Sequence, residues 1–296
     1  MIIITLIFSL PFFITIIINY KILNFWFLNL NLNLIGYIRF ILIFIVKAPI
    51  YFIHLWLPKV HVEAPVHGSI ILAAIILKLG CYGIIRINNL IFKFIRFNLL
   101  ILTIRMWAIL ILRINCIIQI DIKTLIAYSS VVHIITVIIN ILIFKNKRII
   151  RRILIILGHG ICSARLFFIT RIIYKSSKSR RLILNKRIIV NSPALATLWF
   201  LTCINNAPIP PSINIIGEII SLKNILNWAN AAMPLMFIIT FLRSMYSIYL
   251  FYLPKQGKPS KNINKSNLLK STDIIIIIIL TVPITLITIK PIILYI

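Results

Sequence analysis

Acid is the scarcest ingredient of this 296-residue chain: Glu63, Asp121, Glu218 and Asp273 are its only carboxylates, against 32 Lys and Arg. Four carboxylates scattered along the chain leave no cage of hard oxygen ligands for a metal and no paired-carboxylate hydrolase site. Cysteine is as sparse. Cys81, Cys116, Cys162 and Cys203 sit singly in apolar runs with no CxxC pair, so neither a zinc site nor a disulfide framework is indicated. They read as small buried hydrophobes. GxGxxG, P-loop, HExxH and nucleophile-elbow patterns are all missing. Charged residues make up 12% of the chain and hydrophobic ones 61%, where a soluble domain carries roughly a quarter charged. So little polar surface excludes a soluble fold, and so much apolar content excludes disorder. With no soluble domain to present it, the basic excess does not point to nucleic acid. Basic loops on the negative side of a membrane account for it.

What is abundant is isoleucine, 77 residues with an unbroken run from Ile274 to Ile279. Ile, Lys, Asn and Phe codons are AT-rich, so the skew points to a small organellar or endosymbiont genome. No transit peptide or cleavable signal opens the sequence, and an apolar stretch begins at residue 2. A protein made and inserted within its own compartment is expected.

A membrane-crossing helix needs ~20 apolar residues. Nine ranges qualify as spans: 2–19, 36–57, 66–88, 99–118, 122–144, 152–174, 193–222, 226–253 and 273–294. The longest gaps are 20–35, 175–192 and 254–272, and no shift of composition separates a second domain. The expected fold is an all-α polytopic membrane protein, one transmembrane domain over residues 1–296. Two spans carry helix breakers. The second holds Lys47 and Pro49 and is expected to end at Pro58; the seventh holds Asn205, Asn206, Pro208, Pro210, Pro211, Gly217 and Glu218. Proline removes a backbone donor and clashes with the preceding turn. In lipid the freed carbonyls need protein or water around them, so the breaks mark either an ion pathway or simple kinks.

Charges inside spans cost about 2.5–3.5 kcal/mol each at the helix centre, which makes them the first functional candidates. Lys47, Lys78 and Glu218 lie within spans, as do His133 and His159. Desolvation makes an amine easier to deprotonate and a carboxyl harder to ionise. A row of Lys, His and Glu at mid-depth is therefore suited to relaying protons. Each has a plainer alternative: a lysine can snorkel to the interface, and a lone histidine can be a satisfied core group. Glu63 and Asp121, at span ends near Lys59 and Lys123, read as weak surface ion pairs. Ser163 follows His159 by four residues, but no acid orients that histidine for a hydrolase triad.

Five blocks carry a resemblance. They are "VKAPIYFIHLWLPKVHVEAPVHGSIILAAIILKLGCYGIIR" (46–86), "QIDIKTLIAYSSVVH" (119–133), "GHGICSARLFF" (158–168), "PPSINIIGE" (210–218) and "YSIYLF" (246–251). In this order they resemble the antiporter-like membrane subunits of respiratory complex I, and among them the subunit 4 family of mitochondrial NADH:ubiquinone oxidoreductase. The resemblance implies a fourteen-helix fold with two inverted five-helix repeats, each with a broken helix, of which this chain matches helices six to fourteen. It implies a proton relay in which Lys47 is the central lysine on the first broken helix and Lys78 the connecting lysine on the next. His133 and His159 would continue the axis, and Glu218 on the second broken helix would be the outlet acid. It further implies a multi-pass protein of the mitochondrial inner membrane, in the lipid bilayer beside the other membrane-arm subunits of complex I. No cofactor is expected in this chain; ubiquinone and NADH would act elsewhere in the complex.

Two departures from the family stand out. The essential glutamate of its first five helices has no counterpart, since no acid precedes Glu63. Arg105, Arg113, Arg165, Arg171 and Arg243 lie within spans, Arg165 and Arg243 where relatives carry small residues, and Ile70 and Ile134 stand where relatives carry Met. Codons AGA read as Arg rather than Ser, and ATA as Ile rather than Met, would produce both features. A subunit of a multi-component sodium/proton antiporter, or a non-functional translated fragment, are the competing readings.

Overall fold

The structure, a computed structural model, describes residues 2–18, 33–49, 51, 53–87, 95–143, 149–210, 212–257 and 270–289. Most of the gaps read at 20–35 and 254–272, and the last span beyond Ile289, lie outside these residues. Among the described residues the fold is all-helical, with a single isolated β-bridge between Asp121 and Arg181. Eleven helices follow in order: α1 Ile2–Ile18, α2 Leu34–Lys47, α3 Trp56–Glu63, α4 Val66–Arg86, α5 Ile95–Ile118, α6 Ile122–Ile143, α7 Ile149–Ser177, α8 Pro193–Asn206, α9 Ile213–Trp228, α10 Met233–Lys255 and α11 Ser271–Ile289. Five stretches are long and apolar enough to cross a membrane: Val66–Arg86, Asn98–Ile118, Ile122–Ile143, Ile155–Ser177 and Asn230–Lys255. They coincide with five of the nine ranges expected. The other four ranges hold shorter helices: α1, α2, the pair α8 and α9, and α11.

Helix α6 is the axis of the bundle. Nearly all of it is buried, with α3, α4, α5, α7 and α9 packed around it. Helix α7 is the second buried element and touches α4, α8, α9 and α11 as well. Helix α10 lies on α5 and α8 and turns Phe237, Phe241 and Ile248 outward. Such an apolar outer face needs no partner in a bilayer, where every backbone group is bonded inside its own helix.

Three local features position the polar interior. Helix α4 contains a π-helical turn, Leu72–Ile76, that ends two residues before Lys78; the extra residue rotates everything after it relative to the start of the helix. Helix α2 ends at Lys47, ahead of Pro49, with Ala48 N–H bonded to the Phe44 carbonyl at 2.8 Å. Helices α8 and α9 are separated by residues 207–212, where the prolines stand. The expectation at Pro58 is corrected: it does not end a helix but sits in the first turn of α3, where the missing N–H is unpaired in any helix.

Candidate functional site

A line of polar side chains runs through the interior and draws on five helices. It starts on α4. The Lys78 ammonium donates to the carbonyl of Ala73, inside the π turn, and to Nδ1 of His159 on α7 at 2.9 Å. Gly160 makes room for this contact, since a Cβ there would lie 3.3 Å from Lys78 Cε. The His159 ring lies 4.9 Å, centroid to centroid, from the ring of His133 on α6. Lys78, Cys81, His133 and His159 also border a void of about 10 Å³, roughly the volume one water needs.

From His133 the line turns toward the α8–α9 break. His133 Nε2–H donates to Oδ1 of Asn206 at 3.1 Å, which leaves Nδ1 as the acceptor. Nη2 of Arg243, on α10, lies 3.1 Å from that Nδ1. Arg243 also donates from Nε to the Asn206 carbonyl at 2.9 Å and forms an ion pair with Glu218 on α9. The carbonyls freed at the end of α8 are thereby bonded: Asn206 by Arg243, and Asn205 by Nδ2 of Asn214 at 2.8 Å. A helix end inside lipid needs such partners.

Four of the five sequence-expected residues thus meet in one line: Lys78, His159, His133 and Glu218, the last through Arg243. Lys47 stands apart. It is the last residue of α2 rather than mid-helix, half-buried, and its ammonium makes no hydrogen bond or ion pair with a described residue. What ties it to the line is backbone packing. At Gly80, two residues beyond Lys78, a Cβ would lie 2.9 Å from Ala48 N and 3.0 Å from Lys47 Cβ. Only glycine lets α2 end against α4 this closely.

Other expectations fare differently. Neither Glu63 nor Asp121 forms an ion pair with a described residue; Lys123 donates instead to the Ala64 carbonyl at 3.2 Å. The Ser163 hydroxyl donates to the Gly160 carbonyl at 3.0 Å, away from any role with His159. All four cysteines are free and buried. Among the described residues no group of three His, Cys, Asp or Glu could hold a metal ion. Sequence reasoning passed over His61. It is fully buried on α3, stacked on Phe167 at 4.7 Å, with no hydrogen bond to either ring nitrogen among the described residues. Its place in the "HVEAP" stretch was the available signal.

Of the arginines singled out, Arg105, Arg113, Arg165 and Arg243 are buried. Arg113 donates to the Ile239 carbonyl. No nitrogen of Arg165 meets an oxygen or nitrogen partner among the described residues, and the thiols of Cys162 and Cys203 are its polar neighbours. Arg171 is half-buried.

Comparison with known proteins gives a family and a fold. Residues 2–244 match the family described as NADH:quinone oxidoreductase/Mrp antiporter, TM. The chain is 41% identical over 256 residues to NADH-ubiquinone oxidoreductase chain 4 of Paracentrotus lividus, covering 85% of this chain and 55% of that one. Against chain 4 of Ceratitis capitata it is 37% identical over 261 residues, covering 86% and 58%. It therefore spans about half the length of the curated relatives it matches. Among solved structures, respiratory complex I from Thermus thermophilus with bound NADH matches 97% of this chain and 63% of its own, with a TM-score of 0.81 at 17% identity. The Mrp complex from Dietzia sp. DQ12-45-1b matches 98% and 64%, with a TM-score of 0.81 at 15% identity. At such identities the likeness is one of fold.

Proposed function

Because the chain belongs to the NADH:quinone oxidoreductase/Mrp antiporter transmembrane family, we propose that it serves as a proton-translocating membrane-arm subunit of NADH:ubiquinone oxidoreductase, in the place of chain 4. Its setting is then the mitochondrial inner membrane, crossed several times, beside the other membrane-arm subunits of the complex. NADH is oxidised and ubiquinone reduced elsewhere, and this chain contributes a path for protons. The observation that carries the reading is the line Lys78, His159, His133, Arg243 and Glu218 through the bundle interior.

In this mechanism Lys78 holds a proton against His159, and the two imidazoles pass it toward Asn206. Arg243 does not hand on a proton, because a guanidinium stays charged. It couples His133 to Glu218 by charge: a proton on His133 pushes Arg243 off Glu218, and the freed carboxylate takes that proton through water and releases it. Lys47, at the end of α2, supplies Lys78 from the other side. The helix ends at Lys47 and at Asn206 serve as the two broken helices of an antiporter-like inverted-repeat architecture with nine spans, the first repeat incomplete. A sodium/proton antiporter subunit is the second reading, favoured by the equal TM-score to the Mrp complex. The 41% identity to chain 4 against 15% there weighs for the first.

The test compares two carboxylates in the assembled complex. Glu218→Gln should lower the number of protons pumped per NADH oxidised, while Glu63→Gln, exposed at the end of α3, should leave it near the parent value. Equal and negligible effects would remove Glu218 from the path.

A further inference from the structure

His61 stands outside the line from Lys78 to Glu218, yet it is placed like a member of it. It lies in the last turn of α3. The side chain is 0% exposed, and its ring stacks on Phe167 of α7 with centroids 4.7 Å and planes 14° apart. Neither Nδ1 nor Nε2 has a hydrogen-bond partner among the described residues. A neutral imidazole carries one donor and one acceptor, and leaving both unmet in the interior is unfavourable. Packing alone would be served better by an apolar ring, such as the Phe167 it touches.

Basic groups from three other helices face this ring: Lys78 on α4, Lys123 on α6 and His159 on α7. Two contacts set the spacing. Toward the interior, Gly160 touches Lys78 and Phe167 touches His61. These two residues of α7 are two turns apart along one face, about 10 Å, a distance that about three hydrogen bonds in file would cover. Toward the outside, Lys123 Nζ donates at 3.2 Å to the carbonyl of Ala64, the C-cap of α3 and roughly one helical turn beyond His61. Lys123 belongs to the first turn of α6, and Glu63 and Pro65 on either side of Ala64 are exposed. His61 thus stands between an exposed end of the bundle and the buried ammonium of Lys78. Burial, with the charges of Lys78 and Lys123, pushes the imidazole down to about 3. The ring is neutral at rest and does not trap a proton there.

We propose that His61 carries protons, as the middle station of an entry path that runs from Lys123 at the exposed end of α3 through His61 to Lys78. This rests on the reading of the Lys78 line as a proton path, and it gives that line an entry besides Lys47. Lys78, having given its proton to His159, is neutral. A proton from Lys123 then reaches one ring nitrogen of His61 through water, and the proton on the other nitrogen leaves through water to Lys78. The ring is neutral before and after, as a histidine shuttle is, and Lys123 takes a new proton from the surface.

The experiment measures protons pumped per NADH oxidised in the assembled complex for His61→Ala and His61→Phe, each with and without added imidazole. Both variants should lower the ratio, by no more than Lys78→Ala does. Imidazole should restore it in His61→Ala, where the vacated space admits the free ring, and should leave His61→Phe unchanged, where the new ring fills that space. A parent ratio in both variants, while Lys78→Ala lowers it, overturns the entry path and leaves the line standing. A parent ratio in Lys78→Ala as well removes the line and the entry together. A lowered ratio in His61→Ala that imidazole does not restore makes His61 a packing residue and overturns the proposal. Should the variants at position 61 fail to assemble, Lys123→Arg decides, because it keeps the charge beside Ala64 and holds its proton: a lowered ratio supports the path, and a parent ratio overturns it.

Discussion

Four guanidiniums define the residue scale. Arg105, Arg113, Arg165 and Arg243 are 2%, 2%, 0% and 2% exposed, so none snorkels to the membrane surface. The scarcity of acid makes it legible in the sequence that at most one deep arginine finds a carboxylate, and Arg243 with Glu218 is that pair. That all four point inward is not legible, because a long side chain in a span can equally turn to the headgroups. Arg165 is the extreme case, with only the thiols of Cys162 and Cys203 as polar neighbours among the described residues. An uncompensated buried charge is strongly unfavourable, and replacing buried charge by an apolar group of similar volume is often stabilising by about 1–4 kcal/mol. Arg165→Met, which keeps bulk and drops the charge, should therefore raise the midpoint of unfolding in detergent. A lowered midpoint would mean that Arg165 is held by contacts stronger than the thiols beside it.

Breaks and close approaches matter at the scale of elements. The interruption between α8 and α9 is legible because three prolines fall within four residues, Pro208 to Pro211, and no continuous helix accommodates them. Pro58 is not legible in the same way: a proline looks alike at the end of a helix and in its first turn, and only the packing of α3 on α6 decides. The π turn in α4 leaves no mark in "ILAAIILKLG", although it sets the direction of Lys78. The meeting of α2 with α4 rests on one glycine. Gly80→Ala would put a Cβ 2.9 Å from Ala48 N, closer than backbone tolerates, and α2 must retreat. Overpacking of this kind costs about 1–3 kcal/mol. A lower unfolding midpoint together with weaker pumping is expected, because Lys47 moves with the end of α2. Full stability and full pumping in Gly80→Ala would show that the contact has slack.

Over the whole molecule the account reduces to connection: α4, α7, α6, α10 and α9 each contribute one group to a single line, although those groups are spread from residue 78 to residue 243. The candidates Lys78, His133, His159 and Glu218 were legible from the expense of polarity inside spans. Their order in space was not, since it depends on which helix faces cross, nor was the intervention of Arg243 between His133 and Glu218. The claim that the line carries protons is tested most directly at its start, where Lys78 meets His159. In the assembled complex, protons pumped per NADH oxidised are measured for Lys78→Ala and Lys78→Arg. The account predicts a lowered ratio in both, because alanine removes the carrier and arginine keeps its proton. A parent ratio in both variants would contradict it.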